Sequence, residues 1–292
     1  MNFAKFYLQN ETGERKSLCV NSPITLVKPE GLGIELSQTC VDLDDGFFSV
    51  NDESTPQNPI TADLMFRETA YETYRDFVNW ISAAKELFFI YSPYGSAEFY
   101  RRIIVTYLKK TVRGKGGWMS VGVSFRPLTP WYLPTALRIS LTKQTETAMR
   151  YPFTYSASLR YGTSSIGSYA ADIAPDGHLP ASLRFVYKGA ATNPVITLTG
   201  AASGKIYGKC ILNTVLTAED TIELFPSPRD GYIRKIYADG TETDLIDTNV
   251  VDITEDPFLR IPLEESCRLQ LSADDALSGS AEVQVYYYYR SV

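Results

Sequence analysis

The residues of this sequence that could do chemistry are few and widely separated. The single histidine, His178, lies in a turn-rich loop between two prolines, and neither a serine elbow nor an orienting carboxylate is recognisable near it. Nucleophilic catalysis by a Ser/His or Cys/His pair would have to use this residue. We therefore interpret His178 as a residue of a surface loop and not as a general base.

Adjacent carboxylates occur at Asp44–Asp45, Glu264–Glu265 and Asp274–Asp275. Neighbours on a strand point to opposite faces, and neighbours in a loop stay solvated, so none of these pairs fits a glycosidase. The segment Asp42–Gly46 partly matches a calcium loop, but the remaining ligands and the distal bidentate glutamate are missing. We predict no catalytic residue, no metal site and no cofactor.

The four cysteines lie far apart, and no two of them have the spacing of metal ligands: Cys19, Cys40, Cys210 and Cys267. Buried free thiols in a protein made in a reducing cytoplasm are the favoured interpretation. The spacing leaves open that one pair meets in space.

Neither a secretory signal nor a membrane span is predicted. A secretory signal requires an apolar stretch after its basic residues, and no such stretch follows Lys5 near the N-terminus. The densest apolar run, Leu87–Tyr91, is too short to cross a bilayer. We expect a soluble protein.

Composition and charge limit the class of protein further. The 292 residues suggest two domains. Aromatic residues make up 13% of the chain, with 20 Tyr and 14 Phe, and they favour half-buried strands. The net charge is −6, divided between 14 basic and 15 acidic residues in the first 134 positions and 14 and 19 in the remainder. Neither half has the basic excess of a nucleic-acid binder.

One helix is predicted among the strands of the first half, over about residues 69–85. Thr69 and Glu72 fit a capping box, in which the hydroxyl caps the helix and the glutamate reaches back to it. Apolar residues then recur at helical spacing, with Trp80 beside them: Tyr71, Tyr74, Phe77, Val78 and Ile81. This stripe is expected to be core, packed on a sheet.

A basic hairpin tip follows the helix. Strand signals over Phe99–Val112 and Met119–Phe125 flank a glycine-rich reversal, and four basic residues lie on it: Lys109, Lys110, Arg113 and Lys115. No helix N-terminus follows to provide a phosphate cradle. A solvated hairpin end is favoured over contact with an acidic surface.

The second half contains strand signals without a helix. They open at Leu183–Gly189, recur at the spacing of a sandwich or barrel, and close on Ala281–Arg290, where residues alternate between a buried and a mixed face. Asp239–Gly240 is typical of a type I′ hairpin turn. Prolines over Arg126–Pro134 mark the domain boundary.

We therefore predict a mainly β protein of two domains. An α+β domain with one main helix occupies residues 1–133, and a β-sandwich occupies residues 134–292. A polar segment over about 42–58, with Phe47 and Phe48 near its middle, cannot bury much surface by itself. A segment of this length is usually functional or ordered by a partner.

The order of these pieces resembles the distal tail protein family of long-tailed bacteriophages and related prophages, over nearly the whole chain. The likeness rests on the following segments: Gly31–Gly33, Tyr74–Trp80, Leu87–Tyr91, the strand pair closing on Thr129–Trp131, Tyr187–Gly189, Asn193–Ile196, Asp220–Leu224 and the hydrophobic C-terminal strand.

The resemblance implies a structural protein of the virion, at the tail tip or baseplate, and not an enzyme. Such proteins form a homo-hexameric ring through the N-terminal domain, and a galectin-like or carbohydrate-module-like sandwich projects outward. The ring joins the tail tube protein to the tail-associated fibre or lysin protein and carries receptor-binding proteins. DNA passes through its central channel, and assembly takes place in the host bacterial cytoplasm. The resemblance favours a non-contractile tail.

Two sets of candidate residues follow. The resemblance implies that the segment 42–58 is an inter-subunit arm or hairpin, with four candidate contacts: Asp42, Phe47, Phe48 and Asn51. The alternative function is a carbohydrate-binding module or adhesin that binds a host surface glycan through the C-terminal sandwich. Its candidate sugar-facing aromatics are Trp131, Tyr286 and Tyr288. Exposed tyrosines on a sheet more often pack under a loop or partner.

Overall fold

The chain divides into two compact units. A computed structural model describes residues 4–34, 37–43, 47–54, 58–67, 69–95, 97–110, 117–145, 167–226, 231–246, 250–252, 258–275 and 277–292, of which 37–43, 47–54 and 145 are described by their backbone. One unit comprises Met1–Pro134 with Tyr289–Val292, and the other comprises Thr135–Tyr288. The sequence places the boundary between residues 133 and 134 and assigns the last four residues to the second domain, whereas the structure groups them with the first unit.

The first unit is built on an antiparallel sheet with one helix. Its elements are β1 (Lys5–Asn10), β2 (Arg15–Ser17), β3 (Ile24–Glu30), β4 (Ser37–Leu43), β5 (Phe47–Ser54), β6 (Ile60–Phe66), α1 (Ala70–Ala83), β7 (Leu87–Ser92), a 3₁₀ turn (Pro93–Gly95), β8 (Phe99–Lys110), β9 (Met119–Pro127) and β10 (Trp131–Tyr132). The strand order is β2-β1-β7-β8-β9-β6-β3, with β10 beside β8, while β4 and β5 form a separate two-stranded sheet.

Leu18, the residue after the end strand β2, bonds to both β1 and β3. Its N–H donates to the carbonyl of Phe6 in β1 at 2.9 Å, and its own carbonyl accepts from the N–H of Leu26 in β3 at 2.9 Å. The sheet therefore curls until its ends meet, which leaves fewer unpaired backbone groups than an open edge would.

The core of the first unit follows from alternation along the strands. In β9, every second residue is buried: Met119, Val121, Val123 and Phe125. The helix covers this core with Ala70 and Phe77, and the Phe77 ring packs edge-on against Phe66 with ring centroids 5.7 Å apart. The predicted packing of the helix on a sheet is confirmed.

The start of α1 differs from the predicted capping box. Thr69 has φ 39° and ψ 39°, in the left-handed region, and its side chain makes no capping hydrogen bond. A capping box requires an extended backbone at this position, because only that conformation directs the hydroxyl toward the first-turn N–H groups. Tyr71 was predicted to be core but is 56% exposed, since the buried face of the helix is set by Ala70 and Phe77.

The second unit is a β-sandwich. Its strands are β11 (Leu137–Ser140), β12 (Thr142–Thr145), β13 (Gly167–Ile173), β14 (Leu179–Thr192), β15 (Val195–Gly200), β16 (Ile206–Ile211), β17 (Val215–Leu216), β18 (Thr221–Phe225), β19 (Tyr232–Ile236), β20 (Glu242–Asp244), β21 (Arg260–Ile261), β22 (Cys267–Ser272) and β23 (Ser278–Tyr289).

Two antiparallel sheets share one core. The first has the order β11-β23-β14-β18-β19-β20, with β17 and β21 beside β14, and the second has the order β12-β13-β22-β15-β16. Side chains of both sheets meet in one buried cluster, for example Phe185 and Val283 from the first and Ile196 and Leu269 from the second. The predicted mainly β fold with a C-terminal sandwich is confirmed.

The turn at Asp239–Gly240 is not the predicted type I′ turn. Of these two residues only Gly240 has a positive φ, of 82°, whereas a type I′ turn requires it at both. The Asp239 carboxylate instead accepts the N–H of Thr241 at 2.9 Å and its hydroxyl at 2.7 Å. This local bond favours a longer turn, in which Gly240 donates to the carbonyl of Tyr237 at 2.9 Å.

The cysteines whose side chains are described are free thiols. Cys19 is half-buried, while Cys210 and Cys267 are fully buried in the core of the second unit. Burial raises the pKa of Cys210 to about 12 and that of Cys267 to about 11. Free thiols are confirmed at these three positions, and the side chain of Cys40 lies outside the described part.

Two glycines allow the longest strands of the sandwich to approach each other. Gly189 in β14 lies directly opposite Gly279 in β23, with φ of 149° and 138° respectively. A methyl group on Gly189 would collide with the carbonyl oxygen of Ser278, and one on Gly279 would collide with that of Lys188. Both positions therefore require the absence of a side chain.

We predict that Gly189→Ala lowers the free energy of unfolding by about 3 kcal/mol, because the backbone of the opposing strand cannot move aside. Urea denaturation followed by circular dichroism measures the loss. Gly204→Ala is the matched control, since Gly204 has φ 68° but no atom within 4 Å of an added methyl group. A loss of about 1 kcal/mol is expected there from backbone strain alone, and equal losses for both variants would contradict the steric explanation.

Candidate functional site

Among the described residues, no three His, Cys, Asp or Glu side chains come close enough to hold a metal ion. No helix in the described part of the chain has the length and apolar character needed to cross a bilayer.

The N–H of His178 donates to the carbonyl of Tyr288 at 2.8 Å in a strand-end turn. The carboxylates of Asp274 and Asp275 accept hydrogen bonds from Asn193 at 2.7 Å and Thr192 at 2.6 Å, and so they hold a turn.

Glu265 fixes another turn of the sandwich. Its carboxylate accepts hydrogen bonds from the hydroxyls of Ser203 and Tyr207 and, at 3.0 Å each, from the N–H groups of Ala202 and Ser203. The Ser203 hydroxyl, followed by that of Tyr207, lowers the pKa of Glu265 to about 2. The carboxylate therefore holds this turn as a hydrogen-bond acceptor.

Trp131 is a buried anchor and not a sugar-facing ring. Its side chain is 0% exposed, and it packs against Phe89 with ring centroids 6.1 Å apart. The Arg101 guanidinium lies 5.4 Å from its ring centroid and donates to the carbonyl of Thr129 at 2.9 Å. Burial lowers the pKa of Arg101 to about 10. The proline-rich segment Arg126–Pro134 is thus anchored in the core of the first unit, because the burial of a large aromatic ring contributes strongly to packing energy.

The other two aromatics of the carbohydrate alternative lie on β23 and are half-buried. Tyr286 meets Phe225 edge-on, with ring centroids 5.5 Å apart, and its hydroxyl donates to Gln284 at 3.3 Å. The backbone of Tyr288 pairs with Leu179. A sugar platform needs a flat exposed ring face, and the Tyr286 ring packs against its own sheet.

A charged network that the sequence did not predict covers the same face of the sandwich. Glu223 in β18 has a side chain only 6% exposed and forms ion pairs with Arg184 of β14 and Arg234 of β19. Burial would raise the pKa of Glu223, but hydrogen bonds from Arg234 and Arg184 outweigh it and lower the pKa. The three residues lie on three different strands and meet through strand pairing, so no local motif could reveal them.

The candidate arm residues lie on a β-hairpin. In the register of β4 with β5, Asp42 is opposite Phe48 and Leu43 is opposite Phe47, while Asn51 falls at a shift between the pairs Thr39–Asp52 and Cys40–Val50. Within the described strands, β4 and β5 pair only with each other. The predicted segment 42–58 thus contains all of β5, whereas the hairpin begins earlier, at Ser37. The side chains of both hairpin strands lie outside the described part.

The fold of the chain is similar to that of solved phage baseplate and hub proteins. A chain of the phage P2 baseplate in its activated conformation with Ca aligns with TM-score 0.62 and 15% identity, covering 99% of each chain. The SPP1 Dit (gp 19.1) protein aligns with TM-score 0.61 and 10% identity, covering 97% of this chain and 98% of that one. The latter is described as a paradigm of the hub adsorption apparatus in phages that infect Gram-positive bacteria. At these identities the likeness establishes the fold.

The first unit also matches a family model. Residues 5–128 match the model described as the distal tail protein, N-terminal domain. The resemblance predicted from the sequence is thereby confirmed. A comparison with curated proteins gives no significant match.

We predict that Glu223→Gln lowers the free energy of unfolding by about 3 kcal/mol, because two arginines lose the buried carboxylate that neutralises them. Thermal and urea unfolding measure the change. Glu219→Gln serves as the control, since the Glu219 side chain is 69% exposed and pairs with Lys188 at 3.4 Å. That substitution should change stability by less than about 1 kcal/mol, and similar losses for the two would exclude a special role of the buried network.

We further expect the stability of the protein to fall as the pH falls from 4.5, the usual pKa of Glu265, toward about 2. Over this interval the unfolded carboxyl binds a proton that the folded one does not, so acid favours unfolding, and the contribution is fully present above the interval. Melting temperatures between pH 2 and pH 6 should decline less steeply in Glu265→Gln than in the wild type. Parallel profiles would show that this carboxylate does not couple stability to pH.

Proposed function

We propose that this chain is a structural hub protein of a phage tail tip or baseplate that assembles as a closed homo-hexameric ring. The ring joins the tail tube protein to the tail-associated fibre or lysin protein, carries receptor-binding proteins and leaves a central channel for DNA. Assembly takes place in the host cytoplasm, and the protein functions in the virion without enzymatic activity.

The match of residues 5–128 to the distal tail protein N-terminal domain is the observation that carries this proposal. The similarity of nearly the full chain to solved baseplate and hub structures supports the same architecture beyond that domain. A head-to-tail interface produces a ring when the rotation between subunits closes. We assign ring formation to the first unit and outward projection to the sandwich.

The β4–β5 hairpin is proposed to be the inter-subunit arm. A two-stranded hairpin is at best marginally stable alone, and this one pairs with no other described strand. The hairpin would gain a covering surface from a neighbouring copy. Asp42, Phe47, Phe48 and Asn51 remain the proposed contacts.

The carbohydrate-binding alternative has less support. Of its three aromatics, Trp131 is buried in the first unit, and Tyr286 packs edge-on against Phe225. Screening the full chain on a glycan array tests it, with Tyr288→Ala as the variant. Reproducible binding that this substitution abolishes would favour an adhesin over a purely structural hub.

We predict that the wild-type chain forms a hexamer, seen as a ring about 100 Å or more across in negatively stained images. Replacing residues 37–54 with a short Gly/Ser linker should yield a folded monomer, because the proposed arm is lost while the core of the first unit remains. Light scattering measures the mass and circular dichroism the fold. A wild-type chain that stays monomeric at all concentrations would overturn the hub proposal, and a deletion variant that still forms hexamers would overturn the role of the arm.

A further inference from the structure

We infer that the β4–β5 hairpin of one copy docks on an aromatic–cationic patch of the next copy, formed by Arg67, Tyr71, Tyr74, Lys110 and Trp118. This inference rests on the proposed function, since it names the receiving surface for the proposed arm. The occupant is a defined segment of a second copy of this chain.

The β4–β5 hairpin is negatively charged, as a segment that binds a basic surface would be. Ser37–Ser54 contains no basic residue and five acidic ones: Asp42, Asp44, Asp45, Asp52 and Glu53. The first 134 residues hold 14 basic and 15 acidic side chains, so removing this segment leaves 14 basic beside ten acidic ones. The segment also carries apolar residues: Val41, Leu43, Phe47, Phe48 and Val50. An acidic and partly apolar hairpin thus belongs to a unit that is otherwise positively charged.

The patch forms where the first turn of α1 meets the ends of three strands. The Lys110 ammonium, at the end of β8, lies 4.5 Å from the ring centroid of Tyr71 and 5.5 Å from that of Tyr74. The Arg67 guanidinium, just after β6, lies 5.5 Å from the ring centroid of Trp118, which precedes β9. The pairing of β9 with both β6 and β8 joins the two halves.

Two of the aromatic side chains in this patch are open to a partner. Tyr71 is 56% exposed and Trp118 is 53% exposed, whereas Trp131 is fully buried. Among the described residues, neither Arg67 nor Lys110 forms an ion pair. Glu72, in the first turn of α1, pairs with neither of them. The buried Nε of Arg67 has no hydrogen-bond partner within the described part. Cationic charge is therefore left for a group outside this set.

Charge and chemistry are complementary between the two surfaces. Tyr, Trp and Arg are enriched where protein interfaces hold most of their binding energy. The cation–π contacts hold the lysine and arginine in place before docking, which lowers the cost of ordering them. Carboxylates of the hairpin would pair with the two cations, and its apolar residues would cover the exposed rings. The basic end of β8 thus acquires a role other than that of a solvated tip.

The test reverses the charge of each surface and then mixes the two variants. The patch variant is Arg67→Glu with Lys110→Glu. The hairpin variant is Asp42→Lys, Asp52→Lys and Glu53→Lys, which changes the net charge of Ser37–Ser54 from −5 to +1. Each variant alone places like charges against each other, so self-association should weaken about 100-fold or more. A mixture of both variants should recover assembly, because each hairpin then meets a patch of opposite charge. Mass photometry and sedimentation measure the assemblies.

Two further variants keep this test interpretable. Lys110→Glu alone is used if the double patch variant melts at a markedly lower temperature, because Lys110 is exposed at a strand end. Lys205→Glu is the matched control, since this lysine is also exposed and lies 4.9 Å from a tyrosine ring, that of Tyr207 in the second unit. It should assemble as the wild type does.

The outcomes separate this inference from the hub proposal. A wild-type hexamer together with undiminished assembly of the folded patch variant would overturn the docking pair and leave the hub standing, and the patch would then face another acidic partner or solvent. Failure of the mixture to recover assembly would also overturn the pairing. A wild-type chain that does not self-associate would overturn the hub and the docking pair together.

Discussion

Pairing of backbone N–H and C=O groups is the constraint on which the rest of this structure depends. Each strand must place these groups against another strand or leave them to water. The first unit meets the constraint by curling its sheet until Leu18, next to the end strand β2, bonds to β3 at the other end. The second unit meets it by pairing its long strands side by side. The β4–β5 ribbon has outer edges that no described strand pairs. The same rule that stabilises the two units leaves this hairpin with backbone groups on both outer edges that a partner strand could pair.

Much of the fold could be predicted because local patterns and packing agree. The apolar spacing of α1 places its core residue Phe77 correctly, and alternation along β23 identifies a buried face. Prediction fails where conformation is decided by a single residue's environment. Thr69 is left-handed despite its capping-box sequence, and the Asp239 carboxylate selects a longer turn than the dipeptide favours. Sequence types alone do not specify such dihedral angles.

The candidate surfaces were predicted less completely than the fold. The polar segment with Phe47 and Phe48 marked the hairpin, because a long stretch poor in core residues is unusual in a compact domain. Trp131 was misassigned, since an aromatic residue among prolines gives no sign of whether its ring is buried. The Arg67–Trp118 and Lys110–Tyr71 contacts join residues from separate elements. Such juxtapositions arise only from tertiary structure.

The burial of the Cys210 and Cys267 thiols determines how these groups react with oxidants and alkylating reagents. The thiolate is the form that reacts with oxidants and alkylating reagents, and the raised pKa of each group keeps it almost absent at neutral pH. Both side chains are also closed to solvent. The folded sandwich therefore resists oxidation without needing a disulfide. Modification of these two sulfur atoms by a thiol reagent would report that the sandwich has opened, so the native chain contains its own chemical probe of unfolding.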